Sequence, residues 1–172
     1  MPGLSTHNLK QWVEEHRELL KPPVGNKMMF QDGEFLVMIV GGPNKRKDFH
    51  IEDGEEFFYQ IEGDITLRIR EDGEEKDIPI REGEVFLLPA GVPHSPQRPA
   101  STVGMVVERM RKEHEKDHLR WYCEGCDEVL HDAEFHCSDL GTQLKPIIES
   151  FYADESLRTC AHCGAVMQPP SG

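Results

Sequence analysis

The chain has 172 residues, 30% of them charged and 37% hydrophobic, enough for one core with a small appendage. Its formal net charge of -13 has the wrong sign for a nucleic-acid surface, which needs clustered Lys and Arg, and for an anionic membrane. No apolar run reaches a membrane-spanning length, and Met1-Pro2-Gly3-Leu4-Ser5-Thr6-His7 lacks the charged start and apolar core of a signal peptide, so a cytoplasmic location is expected.

Asn8-Leu9-Lys10-Gln11 reads as a capping box, with Asn8 as N-cap and Gln11 reaching back. Leu9, Trp12, Val13, His16, Leu19 and Leu20 recur at helical spacing until Pro22-Pro23 ends the run. Residues 35–40 are almost wholly apolar, a buried strand, and Gly41-Gly42-Pro43-Asn44 is a turn. Phe57, Tyr59 and Ile61, then Ile65, Leu67 and Ile69, alternate with mostly polar neighbours; the break at Glu62-Gly63-Asp64 predicts a hairpin or bulge. Asp72-Gly73 is a strong hairpin signal. Ile78 and Ile80, residues 85–88 and residues 103–107 continue the series. Many short strands between Gly-rich turns predict a mainly β sandwich or barrel, ending near Arg109. Residues 111–120 are dense in charges of both signs, which predicts a solvated helix or linker. His114 and His118 are four apart and would share a helix face, but such a pair in a mixed-charge run is usually plain surface. The expected division is a barrel with its N-terminal helix over 1–112 and a cysteine-bearing tail over 113–172.

The chemistry gathers between Arg46 and Arg98. His50 and Glu56 are six residues apart, which puts both side chains on one face of an extended segment. His94 follows Pro89-Ala90-Gly91-Val92-Pro93, a rigid corner able to aim its ring inward. A lone histidine is more often a hydrogen-bonded core or surface imidazole than a ligand. Two imidazoles and a carboxylate together form the donor set of a non-haem Fe(II) site with open positions for substrate and oxygen.

The joint pattern resembles the two cupin signatures: His50-x5-Glu56-x6-Gly63, and Gly83-x5-Pro89-x-Gly91-x2-His94. The resemblance implies a cupin double-stranded β-helix (jelly-roll barrel) with metal ligands His50, Glu56 and His94. Many cupins carry a second histidine two residues after the first; here that position is Glu52, an outside candidate. Losing a fourth ligand leaves room for a bidentate substrate and dioxygen together.

Fold alone does not give function. The segments Lys21-Pro22-Pro23-Val24-Gly25-Asn26, Val40-Gly41-Gly42-Pro43-Asn44, Glu55-Glu56-Phe57-Phe58-Tyr59-Gln60 and His94-Ser95-Pro96-Gln97-Arg98-Pro99 are similar to the 3-hydroxyanthranilate 3,4-dioxygenase family. The resemblance implies an Fe(II) enzyme that opens the ring of 3-hydroxyanthranilate with O2. The product, 2-amino-3-carboxymuconate semialdehyde, cyclises to quinolinate, in the kynurenine pathway of NAD biosynthesis or tryptophan degradation. It further implies a homodimer, Arg46 near dioxygen or the substrate carboxylate, and Glu108 and Glu56 at the substrate. Arg98, in a Pro-constrained corner four residues past a ligand, suits a bidentate pair with the substrate carboxylate. Lys45 and Lys47 beside Arg46 keep a basic surface turn in play. The 21–26 loop either closes over substrate or merely ends the helix.

Four of the five cysteines form two Cys-x-x-Cys pairs, Cys123 with Cys126 and Cys160 with Cys163. In a chain without a secretion signal these are metal ligands rather than disulfides. Four thiolates suit tetrahedral iron or zinc; the site resembles rubredoxin, which implies iron. A structural role is favoured, since a tail this small cannot fold on its own core. Cys137 stands outside both pairs, and His162 reads as a spacer. Trp121-Tyr122 and Phe151-Tyr152 are expected to pack the tail on the barrel or form a subunit interface. The competing readings are a cupin ligand-binding or sensor protein with a structural four-cysteine site, and a cupin sugar isomerase or epimerase needing no redox metal.

Overall fold

The computed structural model describes residues 6–22, 25–138 and 140–170, with only the backbone of Leu140 and Gly141. Helix α1 (Leu9–His16) starts as the sequence predicts: Asn8 Oδ1 accepts from the Gln11 amide at 3.0 Å. The reciprocal half of the capping box is not made; Gln11 Nε2 donates forward to Glu15 Oε1 at 2.7 Å. The last turn tightens to a 3-10 helix over Arg17–Leu20. Trp12, Val13 and Leu20 bury against Ile39 and Val103, which fastens the helix to a sheet.

Among the described residues eleven strands form two antiparallel sheets. In chain order they are β1 (Asn26–Phe30), β2 (Phe35–Gly41), β3 (Asp48–Ile51), β4 (Glu56–Glu62), β5 (Ile65–Glu71), β6 (Glu74–Ile80), β7 (Val85–Leu88), β8 (His94–Gln97), β9 (Val103–Arg109), β10 (Asp117–Tyr122) and β11 (Val129–Phe135). One sheet has the order β1-β2-β9-β4-β7, the other β11-β10-β3-β8-β5-β6. Phe58, Leu67, Ile69, Leu88 and Val106 fill the space between them, as expected for a jelly-roll barrel.

The Asp72-Gly73 turn joins β5 to β6 with both residues at positive φ (54° and 79°), the geometry that hairpin signal predicts. The Glu62-Gly63-Asp64 break is not a hairpin, but the register of β4 against β9 does shift between Gln60 and Glu62, as the bulge alternative expects. β4 and β5 lie in different sheets, and Gly63 (φ 64°) sits where the chain crosses between them.

The sheet does not end at Arg109. β10 pairs with β3 on one side and β11 on the other, so of the 111–120 run only 111–116 is a linker, exposed at Lys112, Glu113, His114 and Lys116, while 117–120 is strand. Asp117, Leu119 and Trp121 point inward while His118 and Arg120 stay partly exposed, the alternation of a half-buried strand. His118 Nδ1 bonds Asp132 Oδ1 at 2.9 Å and His114 lies in the preceding turn, so the two rings share no helix face.

After β11 come α2 (Leu140–Ala153) and the short α3 (Glu155–Arg158). Sequence reading assigned no helix here, and Pro146 inside α2 obscures it. The Trp121 and Phe151 rings stack at 4.1 Å and 15°, both fully buried with Leu119 and Met167. That packing, expected of the aromatic pairs, seals the tail against β10. Among the described residues no helix is long and apolar enough to cross a membrane.

Candidate metal centre and substrate cavity

His50 in β3 and His94 at the start of β8 are direct partners across one sheet. Glu56 opens β4 in the other sheet. The one-face argument from the six-residue spacing is therefore not how they meet. The chain turns after Ile51, and the carboxylate approaches the imidazoles across the barrel interior. One donor atom from each of the three buried residues lies within 4.8 Å of the others.

The ring orientations follow from their outer hydrogen bonds. His94 Nδ1 lies 3.0 Å from the Val92 carbonyl and donates to it, which leaves the Nε2 lone pair facing Glu56 Oε1 at 3.1 Å. His50 is turned the other way: Nε2 lies 2.7 Å from Asp117 Oδ2, and Nδ1 faces Glu56 Oε1 at 3.4 Å. Burial disfavours the His50 imidazolium, but its bonds to Asp117 and Glu56 outweigh that and raise its pKa to about 9. Burial likewise works against charge on Glu56, yet His94 and His50 hold its carboxyl well below the usual range. The three groups are thus arranged around a positive charge.

Behind Glu56 lies a second group of acids. Glu108 is its register partner in β9, and Glu52 completes a cluster of three carboxylates within 4.8 Å. Burial first, then the charges of Glu56 and Glu108, push Glu52 up to about 11. Burial and the Glu56 charge raise Glu108 as well. Arg111 sits among them with its side chain 3% exposed. Its Nη1 donates to Glu108 Oε2 at 2.6 Å, while Nε and Nη2 grip Asp117 Oδ1 and Oδ2 at 2.9 and 2.6 Å. Nη2 also lies 3.0 Å from Glu52 Oε2, without hydrogen-bond alignment. Glu108 Oε1 has no hydrogen-bond partner.

In front of the His-Glu-His group opens a cavity of about 260 Å³. Met38, Val40, Phe58, Val106 and Leu144 make apolar walls, and Arg46 and Arg98 supply charge. Arg98 is 3% exposed. Its backbone is clamped by Asn44, whose Oδ1 accepts from Arg98 N at 2.8 Å. Among the described residues its guanidinium reaches only Gln60 Oε1, at 3.4 Å, and Nε has no partner. Burial lowers its pKa to about 10, and Arg46 adds to this while Glu56 opposes it. Arg46 differs: its guanidinium is paired with Asp48, the Nε–Oδ2 contact being 3.1 Å. Glu108 is not among the cavity-lining residues. Pro22, Gly25 and Asn26 of the 21–26 loop line the mouth; Pro23 and Val24 lie outside the described residues.

The four paired cysteines converge, their sulfurs within 4.8 Å. Cys123 and Cys163 are 3.5 Å apart, as are Cys126 and Cys160. The knuckles are built alike: Asp127 N bonds the Cys123 carbonyl at 2.9 Å, and Gly164 N bonds that of Cys160 at 2.9 Å. Asp127 and Gly164 both take positive φ, 67° and 76°, to close these turns. Backbone amides of Cys163 and His162 help hold the Cys160 thiol down to about 6, while burial and the neighbouring sulfurs push Cys126 up to about 12. The His162 side chain is 70% exposed and is not part of the cluster. Cys137 is buried beside the barrel core, away from the cluster.

This geometry, a carboxylate and two imidazoles beneath a cavity with a buried guanidinium, can be set beside known proteins. The 3-hydroxyanthranilic acid dioxygenase family profile matches residues 1–152. A 3-hydroxyanthranilate 3,4-dioxygenase of Xanthomonas campestris pv. campestris is 53% identical over 163 residues, covering 95% of this chain and 92% of its own. One from Jannaschia sp. is 49% identical over 176 residues, covering 100% and 98%. The chain belongs to the 3-hydroxyanthranilic acid dioxygenase family. A cupin-2 domain protein of Shewanella frigidimarina is a more distant structural neighbour, 18% identical, TM-score 0.47, covering 59% of this chain and 99% of its own.

The donors present fit the non-haem metal that a dioxygenase of this family uses: one nitrogen from each of two imidazoles and one carboxylate oxygen gathered together, with open space on the cavity side. In this family member the structure brings together His50, Glu56, His94, Arg46 and Arg98 as the sequence led one to expect. It places Glu108 one layer behind, and Glu52 with Glu108 rather than with the imidazoles. Sequence reading missed Arg111 and Asp117, dismissing them as part of a solvated charge run. The available signal was the two-residue alternation Asp117, Leu119, Trp121, Cys123, which marks a strand.

Proposed function

We propose that this chain opens the aromatic ring of 3-hydroxyanthranilate with O2 to give 2-amino-3-carboxymuconate semialdehyde, using Fe(II) held by His50, Glu56 and His94. The observation that carries the substrate is Arg98: a buried guanidinium with no carboxylate partner among the described residues, facing an apolar cavity beside the metal ligands. Such a group calls for an anionic ligand, and the carboxylate of an aromatic acid satisfies it while the ring lies between Met38, Phe58 and Val106. Fe(II), when bound, supplies a redox-active Lewis acid at which the ortho aminophenol and O2 meet.

The chain's own residues do the rest. Arg98 anchors the carboxylate and so sets which ring edge faces the metal ligands. Arg46, already neutralised by Asp48, is the weaker carboxylate clamp and stands as a fixed positive charge on the dioxygen side. Glu56 borders the bound substrate as well as ligating. Glu108, one layer behind Glu56 and with Oε1 unclaimed among the described residues, is the acceptor to which the proton of the substrate hydroxyl passes by way of Glu56. The apolar walls exclude water. The four-cysteine site holds iron or zinc in a structural role, pinning residues 113–172 to the barrel. The exposed Phe57, Val85 and Leu87 on the outer face of β4 and β7 suit a homodimer contact, and we place the enzyme in the cytoplasm.

The test is oxygen uptake by the iron-loaded full chain. Mole-for-mole loss of O2 and 3-hydroxyanthranilate supports the reading; no uptake by folded, iron-loaded protein rejects it and leaves the ligand-binding or sensor alternative. One variant probes Arg98 indirectly. A Cβ on Gly104 would lie 2.8 Å from Arg98 Nη1 and 2.8 Å from Gln60 Oε1. Gly104→Ala is therefore expected to push the guanidinium off position and lower kcat/KM by roughly 10- to 100-fold, mostly through KM, with metal content unchanged.

A further inference from the structure

We propose that Asp117, gripped by Arg111, is a positioning residue of the metal centre: it fixes the His50 ring so that Nδ1, not Nε2, is the ligand atom. The inference rests on the metal-site reading of His50 above.

The geometry leaves His50 no other arrangement. Asp117 is 1% exposed, and its Oδ2 takes His50 Nε2 at 2.7 Å. Both carboxylate oxygens are held at the same time by the Arg111 fork, at 2.9 and 2.6 Å. A bidentate pair fixes the carboxylate plane, and a carboxylate whose plane is fixed fixes the imidazole bonded to it. A third bond of that guanidinium matters too. Nη1 holds Glu108 Oε2 at 2.6 Å, so one side chain ties the orientation of a metal ligand to the position of the proposed proton acceptor.

The placement comes from β10, whose Leu119 is the register partner of His50. Asp117 is the first residue of that strand, and Cys123 follows its last. The four-cysteine tail is thus joined to the metal centre through six residues of strand, and it supplies part of the site.

Two measurements on the full chain test this. The first is nitrogen-15 NMR of the zinc-loaded protein. His50 is expected to coordinate through Nδ1 and to show a hydrogen-bonded, slowly exchanging Nε2 proton; Asp117→Ala is expected to lose that proton and mix the two coordination modes. The second is anaerobic Fe(II) titration against a chromophoric chelator. Affinity at the site that is not four-cysteine is expected to fall about 10- to 100-fold in Asp117→Ala, and less in Asp117→Asn, which keeps the volume and one acceptor. Asp117→Asn also stands in should the alanine variant not fold. Coordination through Nε2 in the wild type, or wild-type affinity with unchanged His50 signals in the variants, overturns the proposal alone. Wild-type protein that binds metal only at the cysteines overturns the metal-site reading, and this proposal with it.

Discussion

A His94→Ala chain is expected to hold metal only at its four cysteines and to consume no oxygen with 3-hydroxyanthranilate. His94 offers Nε2 to the same space as Glu56 Oε1 and His50 Nδ1, with Nδ1 committed to Val92. Alanine removes one of three donors and leaves a hole in a buried, negatively charged wall. Two remaining ligands do not hold a ferrous ion against solvent, so the loss is of occupancy rather than of turnover per loaded site. Metal analysis checks this directly: the wild type is expected to carry an ion at each of the two clusters, and the variant only the thiolate-bound one. Near-normal thermal stability of the variant would separate ligand loss from misfolding. Full iron content in folded His94→Ala would remove His94 from the ligand set.

Replacing Arg98 with alanine is the second large effect, and it acts on substrate rather than metal. The wild-type guanidinium is buried, clamped at its backbone by Asn44, and lacks a carboxylate partner until substrate enters. Truncating one member of a buried charge pair costs about 2–5 kcal/mol, so kcat/KM is expected to fall on the order of 10²- to 10³-fold. Iron content should not change, because Arg98 touches no ligand atom. Arg98→Lys is expected to recover only part of the loss, since an ammonium cannot reproduce the two-point fork. The analogue without the carboxylate, 2-aminophenol, offers the sharper check. It should be a poor substrate for the wild type and lose little further in Arg98→Ala. An equal loss for both compounds would mean that Arg98 supports the site in some other way.

The sequence was most informative where chemistry depends on short spacing. The two cysteine pairs, the Asp72-Gly73 hairpin, the Asn8 cap and the Pro-Gly corner before His94 each act within a few residues, and each is found as the local pattern predicts. The alternating strands also announced a barrel, because a two-residue period can bury only one face. Arguments that stretched local geometry over a turn failed. His50 and Glu56 do not share a strand, and Glu62-Gly63-Asp64 carries the chain between sheets rather than back along one.

The residues on and behind the metal centre divide the same way. His50, Glu56 and His94 are visible in sequence because their residue types and motif are particular to metal binding. Arg111 and Asp117 are not: charge at 111–120 reads as solvated surface until β10 pairs with β3 and draws Asp117 inside, where Arg111 joins it. Whether a charge is surface or site depends on what desolvates it and what partners it, and both come from residues distant in the chain. The sequence by itself determined the donor types, the strand-rich class and the four-thiolate knot. Only the tertiary structure decided which nitrogen of His50 faces Glu56, that Arg98 is buried without a carboxylate partner among the described residues, and that β10 brings Asp117 against His50, because those depend on which buried groups find each other across the barrel.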